Sequence, residues 1–397
     1  MTVITDTGAL ADLCRTLQGQ DYITVDTEFL RDTTYWPKLC LVQLGSADGA
    51  WAVDPLAEGM DLGPLWHLLT EAPVPKVFHA ARQDVEIIVH ATGVVPSPLF
   101  DTQIAAMVCG FGDQVGYERL VNELANQRLD KSSRFTDWSR RPLTDKQVRY
   151  ALDDVIFLRP VYEALRDRLQ ANDRTDWMQE ELATLTDPAT YRAEPEEAWR
   201  RIRTRSSDPR FLVILREIAA WREAEAQARD TPRTRLLRDE ALLEIAAQAP
   251  RTLEALDRLR GVPKGLAGGR IGKAVVDAVN RALALDKQDR PRVDPKPIVN
   301  AAAAGPTIEL LRVLLKMCCE QAGVAQRLVA VSDDLDRLAS DDGADIPALS
   351  GWRRQVFGDH ALNLKHGRTA LALKDGQVVV VPVEVEAEAE VKAEAAS

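Results

Sequence analysis

The hydrophobic pattern of this chain changes near residue 190, and that change limits the kinds of domain it can form. Before it, short β-rich runs alternate with helical stretches. After it, strand patterns are absent until a hairpin-like segment around Asp375-Gly376. A chain of 397 residues is also too long for one ordinary domain. The sequence therefore predicts an α/β domain followed by mainly helical ones.

The α/β part begins with three β-rich runs in quick succession, which favour a mostly antiparallel meander. These runs are DYITVDTEF, KLCLVQLG and AWAVDP. The next segments predict a helix in GPLWHLLTEA, a short buried strand in KVFHA and a helix in ARQDVEIIVHATG that Gly93 closes. PLFDTQIAAMVCG and YERLVNELANQ are predicted as helices. A capping box at Thr144 and Gln147 starts a long helix that runs to Leu165.

Two carboxylates, Asp26 and Glu28, are placed at the end of the first β-rich run. Residues i and i+2 of a strand point to the same face, so these two like charges lie side by side. Such a pair is destabilising unless it shares a cation, and hard cations such as Mg²⁺ or Mn²⁺ prefer oxygen ligands. Asp-x-Glu is nevertheless a common pattern and has little weight alone.

Two further segments carry candidate residues. Tyr150 and Asp154 are four residues apart on a predicted helix and so share one face. Asp84 falls in the first turn of another helix, where the helix N-terminus stabilises a carboxylate, and that alone would explain it. If the fold brings the four carboxylates together, however, their burial requires bound cations and indicates phosphoryl-transfer chemistry.

The order of these residues, with their flanking sequence, resembles the three exonuclease motifs of the DEDD superfamily in its tyrosine subtype. The sequences of these motifs resemble most those of the bacterial ribonuclease D family. The matching segments are VDTEFLRDTTYWPKLCLVQL, VFHAARQDVEII, PLFDTQIAAMVCG and LDKSSRFTDWSRRPLTDKQVRYALDDVIFL. The resemblance is dense over about residues 20–170. It continues into the helical part, which is similar to the helicase-and-RNase-D C-terminal (HRDC) domain.

This resemblance implies an α/β exonuclease domain with a ribonuclease H-like mixed sheet flanked by helices, followed by two mainly helical HRDC-like domains. The expected bounds are 1–190 for the exonuclease, 206–288 for the HRDC domain and 296–382 for a second, degenerate copy. Residues 384–397 are a low-complexity acidic tail, for which we expect disorder.

The same resemblance implies a site with two divalent metal ions, Mg²⁺ or Mn²⁺. Asp26, Glu28 and Asp154 would hold the ion that binds the attacking water. Asp26 would also face the other ion, which Asp84 would contact directly or through water. Tyr150 would orient the water through its hydroxyl, since an ordinary tyrosine with a pKa of about 10 is a poor free base. The product would be a nucleoside 5′-monophosphate, released stepwise from a 3′ end.

Five further residues are candidates for substrate contact. Phe29 and Leu30 either wedge against the terminal base or belong to the core. His79 either touches the substrate or packs and hydrogen-bonds beneath the site, and the second is favoured. Lys131 and Arg134 could contact substrate phosphates, although a basic residue in a polar loop is usually just solvated.

Other polar residues are less informative. Gln43, on the second β-rich run, either supports Glu28 or faces the ligand, and the sequence leaves both open. The five cysteines show no metal-ligand spacing and are expected to be buried free thiols in a reducing cytoplasm.

The net charge of −11 is distributed unevenly. Residues 1–198 hold 18 basic and 32 acidic residues, whereas residues 199–290 hold 20 basic and 13 acidic ones. A basic region between acidic ones favours a polyanion-binding surface, although a solvated arginine-rich surface explains it as well. Within it, GVPKGLAGGRIGKAV places Lys264, Arg270 and Lys273 at a helix start, which suits either an anion site or the packing of HRDC helices.

These features together predict a cytoplasmic 3′→5′ exoribonuclease that trims stable-RNA precursors such as those of tRNA. We see no signal peptide and no apolar run long enough to span a bilayer, and no obligate protein partner is expected. Two alternatives stay open. One is an exonuclease of the same superfamily that acts on DNA, and the other is a catalytically inactive RNA-binding scaffold.

Overall fold

The computed structural model describes residues 3–130, 136–291 and 301–383. Its first part contains a mixed sheet made of β1 (Val3–Ile4), β2 (Ile23–Leu30), β3 (Lys38–Ser46), β4 (Gly49–Val53), β5 (Lys76–Phe78) and β6 (Leu99–Asp101). The spatial order is β1-β4-β3-β2-β5-β6. Strands β2, β3 and β4 form the predicted antiparallel meander, and β1, β5 and β6 add parallel pairs at its two sides.

Helices cover both faces of this sheet. Their bounds are α1 (Thr7–Gln18), α2 (Gly63–Thr70), α3 (Arg82–Thr92), α4 (Thr102–Val108), α5 (Tyr117–Ala125), α6 (Asp145–Ile156), α7 (Leu158–Ala171) and α8 (Thr175–Thr186). On one face, α1 and α2 share a buried core with β3, which includes Leu10, Leu65 and Leu44. On the other face, α6 packs over the meander, where Leu41 and Ala151 are fully buried. The candidate carboxylates meet on this second face.

Two local expectations near the candidate residues were wrong. Asp26 and Glu28 lie within β2 rather than at its end, because the strand continues to Leu30. The segment PLFDTQIAAMVCG is not helical throughout, since it begins as β6 and pairs with β5 before α4 starts.

The long helix expected from Thr144 to Leu165 is also wrong in its length. It is two helices, α6 and α7, which meet at Phe157. Pro160 explains the break, because proline has no N–H to donate and its ring clashes with the carbonyl four residues before it. Pro160 instead lies in the first turn of α7, where the missing N–H costs least.

Two helical units follow. The first contains α9 (Pro209–Ala228), α10 (Arg233–Leu236), α11 (Asp239–Gln248), α12 (Leu253–Asp257) and α13 (Arg270–Ala284). The second contains α14 (Ala301–Ala322), α15 (Gln326–Val329), α16 (Ser332–Ser340), α17 (Gly351–Arg353) and α18 (Asp359–Lys365). Each unit has its own buried core, around Ile214 and Val279 in the first and around Leu314 and Phe357 in the second. None of the described helices combines the length and apolar content needed to cross a membrane.

The described residues end with the predicted hairpin, formed by β7 (Thr369–Lys374) and β8 (Gln377–Pro382). Asp375 and Gly376 between them both have positive φ, as a two-residue hairpin turn requires. The acidic tail at 384–397 lies outside the described residues.

Both helical units pack against the α/β part of the chain, at separate places. In the first unit, Asp230 accepts hydrogen bonds from the backbone N–H groups of Tyr35 and Trp36, in the loop that follows β2. In the second unit, Trp352 stacks on Trp177 of α8, with 4.4 Å between ring centroids. The loop after the strand that carries Asp-x-Glu is therefore anchored to the first helical unit.

Candidate active site

Three of the predicted carboxylates converge above β2. Asp26 and Glu28 lie two residues apart on that strand, and Asp154 approaches from α6. One carboxylate oxygen from each lies within 4.8 Å of the others, and all three residues are half-buried. A set of oxygen donors at this spacing matches the preference of a hard divalent cation.

Backbone contacts hold α6 against the sheet. The Thr24 hydroxyl of β2 donates to the carbonyl oxygen of Val155 at 2.8 Å. Gly45 of β3 permits this approach, since a Cβ there would lie 2.4 Å from the Thr24 hydroxyl oxygen and 3.1 Å from the Val155 carbonyl oxygen. The helix begins with the predicted capping box of Thr144 and Gln147. These contacts set the position of α6 without involving the carboxylate of Asp154.

The loop that precedes α6 is fixed by an ion pair. Arg141 donates from Nε and Nη2 to the two carboxylate oxygens of Asp54, each at 2.6 Å. Its Nη2 also donates to the carbonyl oxygen of Cys40 at 2.7 Å. Because Asp54 is buried at the end of β4, this arginine ties the loop to the meander on which the site is built.

Asp84 lies beside the three converging carboxylates without joining their group. It is in the first turn of α3, as predicted, and only 7% exposed. The Thr27 hydroxyl of β2 donates to its carboxylate. Burial, followed by the charge of Asp26, raises the pKa of Asp84 well above its usual range. The fourth carboxylate is thus close enough to interact electrostatically with Asp26.

Asp26 and Glu28 also bind their protons more tightly than ordinary carboxylates do. Burial, followed by the charge of Asp154, raises the pKa of Asp26 well above its usual range. Burial and the neighbouring carboxylates raise the pKa of Glu28 to about 9. The part of each pKa shift that comes from neighbouring carboxylates reflects repulsion between charged side chains, which a bound divalent cation would remove. The residues present therefore fit divalent metal ions.

The converging carboxylates open into a cavity of about 480 Å³. The residues predicted from the sequence that line it are Asp26, Glu28, His79, Tyr150 and Asp154. The Tyr150 ring lies 6.0 Å from the ring of Trp138, which belongs to the loop before α6. The tyrosine and the carboxylate predicted to share one helix face therefore do face the same cavity.

The cavity wall also includes residues that the sequence did not indicate. At its N-terminus, α5 contributes Tyr117, Glu118 and Arg119. The Tyr117 hydroxyl donates to the carbonyl oxygen of Asp154 at 2.6 Å. Burial, followed by the charges of Asp154 and Asp26, raises the pKa of Tyr117 well above its usual range, so the hydroxyl stays protonated. Nothing in the residue types or spacing around α5 predicts this placement, which only the tertiary fold creates.

His79 is both in the cavity wall and hydrogen-bonded. Its Nδ1 is 3.0 Å from the hydroxyl oxygen of Thr102, and its ring lies 5.4 Å from that of Tyr117. Burial lowers the pKa of His79, which favours the neutral imidazole near neutral pH.

The other candidate substrate residues are placed less favourably. Phe29 and Leu30 follow a shift in the register between β2 and β3, and neither is among the described residues that line the cavity. Lys131 and Arg134 fall in residues 131–135, outside the described part of the chain.

Comparison with known proteins agrees with this geometry. Residues 1–170 match a family described as a 3′-5′ exonuclease, and residues 211–279 match the HRDC domain. The ribonuclease D of Nitrobacter hamburgensis is 51% identical over 382 residues, which cover 96% of this chain and 99% of that protein. The chain belongs to the ribonuclease D family. A second family member, the ribonuclease D of Granulibacter bethesdensis, is 50% identical over 381 residues, covering 96% of each protein.

A solved structure of the ribonuclease D family has the same architecture. The crystal structure of Escherichia coli RNase D, described as an exoribonuclease involved in structured RNA processing, is similar with a TM-score of 0.77 and 29% sequence identity. The match covers 92% of this chain and 98% of that one. Membership in the ribonuclease D family confirms the predicted fold class and the predicted class of enzyme, a 3′→5′ exoribonuclease.

Proposed function

We propose that the chain removes nucleoside 5′-monophosphates one at a time from RNA 3′ ends with the help of two divalent metal ions, Mg²⁺ or Mn²⁺. The residues proposed to hold the ions are Asp26, Glu28, Asp84 and Asp154. The observation that carries this proposal is the convergence of three carboxylate oxygens within 4.8 Å of one another. When bound, such ions stabilise the charge that develops on the attacking and leaving oxygens of an in-line displacement.

The side chains around the carboxylates would orient the reactants. Tyr150 would hold the attacking water through its hydroxyl. As the water oxygen bonds to phosphorus and releases a proton to solvent, the bond from phosphorus to the 3′ oxygen of the preceding nucleotide breaks, and that oxygen takes up a proton from solvent. Tyr117 would keep α6 in position through its bond to the Asp154 carbonyl, and neutral His79 would complete the wall without adding charge.

Substrate phosphates need a positive partner in a site this acidic. Of the described residues that line the cavity, Arg119 is the one with a permanent positive charge. It pairs with Glu123 at 2.7 Å, and both side chains are exposed, so exchanging that partner for a phosphate costs little. We assign Arg119 to the phosphate next to the scissile one. The substrate roles of Phe29, Leu30, His79, Lys131 and Arg134 stay predictions.

The helical units would bind the body of the RNA. The basic balance of residues 199–290 supports this role, since phosphate contacts supply most of the affinity for nucleic acid. We propose residues 206–288 as the HRDC domain and residues 296–382 as a degenerate second copy, after an exonuclease domain in residues 1–190. The physiological substrate we propose is the 3′ extension of a tRNA precursor in the cytoplasm, which suits a relative described as processing structured RNA.

The experiment that tests this proposal compares a 3′-extended tRNA precursor with a DNA strand of the same sequence, each with Mg²⁺ or Mn²⁺. The expected result is stepwise release of nucleoside 5′-monophosphates from the RNA, with little release from the DNA. Asp26→Asn should abolish the release. Asp12→Asn, which changes an exposed aspartate of α1 that does not line the cavity, is the matched control and should have no effect.

Two other outcomes would favour the alternatives. Equal or faster hydrolysis of the DNA strand would favour a DNA-directed exonuclease. Tight RNA binding without metal-dependent release of mononucleotides would favour a catalytically inactive scaffold.

A further inference from the structure

Gln43 is buried in the middle of β3, next to the carboxylates, and is fully inaccessible to solvent. In the antiparallel pairing of β2 with β3 it lies directly opposite Asp26, whereas Glu28 pairs with Leu41. Directly opposite residues in such a pair place their side chains on the same face of the sheet. The Gln43 side chain therefore lies on the face that carries the carboxylates.

That face is covered by α6. Leu41, two residues before Gln43, and Ala52, opposite it in β4, belong to the apolar cluster beneath this helix. Gly45, two residues after it, lies against the carbonyl oxygen of Val155. The amide is thus enclosed between the strands and the helix.

The Gln43 amide has no hydrogen-bond partner in the described part of the chain, at either Nε2 or Oε1. A buried amide without partners destabilises the folded state, whereas a methionine or leucine of similar volume would fill the same space without that cost. Packing therefore does not account for a glutamine at this position. Its place opposite Asp26 suggests a role in the site.

We propose that Gln43 is a positioning residue for Asp26. Its amide N–H donates to the Asp26 carboxylate when that carboxylate is charged and holds a divalent ion, which fixes the orientation of the carboxylate. A neutral donor suits the position, because a lysine or arginine would compete with the ion for the same oxygens. Metal-binding carboxylates are commonly hydrogen-bonded by neighbouring groups in this way. The inference rests on the metal-binding role proposed for Asp26.

The test is Mn²⁺ titration calorimetry on the full-length chain, together with kcat and KM on a 3′-tailed RNA. Gln43→Met is expected to weaken Mn²⁺ binding and to lower kcat, each by about 10- to 100-fold, with KM for RNA unchanged. Its melting temperature should equal or exceed that of the unaltered chain, because an unpaired buried amide has been removed.

Leu44→Met is the matched control, since Leu44 is fully buried on the other face of β3, opposite Val25. It should leave Mn²⁺ affinity and kcat unchanged.

Unaltered Mn²⁺ affinity and kcat in Gln43→Met would overturn the proposal. A loss of activity that accompanies a lower melting temperature in both Gln43→Met and Gln43→Leu would also overturn it, because the amide would then be structural. Asp26→Asn, measured in the same titration, distinguishes the metal-binding role of Asp26 from the positioning role of Gln43. If Asp26→Asn still binds Mn²⁺ normally, the metal role of Asp26 is wrong. If it loses binding while Gln43→Met does not, only the role of Gln43 is wrong.

Discussion

The molecule buries carboxylates in two regions that differ in their supply of positive charge. In the first helical unit, Glu223 of α9 is only 1% exposed, and its Oε2 lies 2.9 Å from Nε of Arg233. Its Oε1 accepts a hydrogen bond from the Tyr35 hydroxyl at 2.5 Å and lies 3.5 Å from Arg201. This carboxylate thus joins the helical unit to the exonuclease part with its charge compensated.

The active site is arranged in the opposite way. In the described part of the chain, Asp26 and Glu28 form no ion pair, and the charges that act on them most are those of other carboxylates. A buried carboxylate that serves stability is accompanied by its donors, whereas one that serves catalysis is fully compensated only when a ligand binds. The two regions should therefore respond to mutation in opposite ways.

The largest expected effect is on activity. Asp26→Asn or Asp154→Asn should lower kcat by about 10³-fold or more, because each removes an oxygen that we propose as a metal ligand. The melting temperature of the metal-free variants should be unchanged or higher, since repulsion among the carboxylates is relieved.

Single-turnover kinetics and thermal melts in EDTA measure the two effects. A variant that is destabilised while retaining turnover would show that these carboxylates serve stability rather than catalysis.

Glu223→Ala should show the reverse pattern. Loss of its bonds to Tyr35 and the two arginines should destabilise the folded chain by about 2 kcal/mol, less than for a fully buried pair because both arginines are partly exposed. At a temperature where the variant is folded, kcat should be nearly unchanged. Glu240→Ala, at an exposed position of α11, is the control and should shift stability by no more than about 0.5 kcal/mol. Full stability with lost turnover in Glu223→Ala would show that this carboxylate serves the reaction.

The pH dependence of stability sharpens the comparison. Without metal, the raised pKa of Glu28 means that the folded chain retains a proton that the unfolded chain releases above its ordinary value of 4.5. The resulting contribution to stability is fully present below pH 4.5, declines as pH rises and is lost above about 9.

Melting temperatures measured in EDTA from pH 5 to 9 should therefore fall more steeply for the unaltered chain than for Glu28→Gln. Added Mg²⁺ should flatten the slope of the unaltered chain, because it stabilises the charged carboxylates. Parallel curves for the two proteins in EDTA would contradict the raised pKa.

The smallest effect is expected on RNA affinity. Lys264→Ala with Lys273→Ala removes two exposed charges near the start of α13. It should weaken RNA binding and reduce the slope of log K against log salt by about 1.4, since each phosphate contact on a single strand contributes about 0.7. Lys374→Ala, at an exposed lysine of the hairpin, is the matched control. Filter binding at several salt concentrations would measure the slope for each variant. Identical slopes for the double variant and for Lys374→Ala would indicate that Lys264 and Lys273 are simply solvated.

Much of the site could be predicted because its motifs are local. The spacing of Asp26 and Glu28 on a strand, and of Tyr150 and Asp154 on a helix, fixes which side chains share a face before any tertiary contact forms. The break between α6 and α7 also has a local cause, since Pro160 prevents one continuous helix. The helical spacing of apolar residues continues across the break and therefore predicts a single helix.

Other parts of the site depend on contacts between distant segments. Tyr117 reaches the Asp154 carbonyl only because α5 packs beside α6, and its own segment contains no motif. The sequence alone leaves two roles open for Gln43, because the register of β3 against β2 decides its neighbour and a shift of one residue would move it to the other face.

The most direct test of the metal site is the anomalous scattering of Mn²⁺ in crystals of the full-length chain. Two peaks separated by roughly 3.5–4 Å, within bonding distance of oxygens from Asp26, Glu28 and Asp154 and with Asp84 beside one of them, are the expected result. Crystals of Asp26→Asn should lose at least one peak. Absence of Mn²⁺ from this cluster in crystals of an active preparation would contradict the assignment of these carboxylates as the metal site.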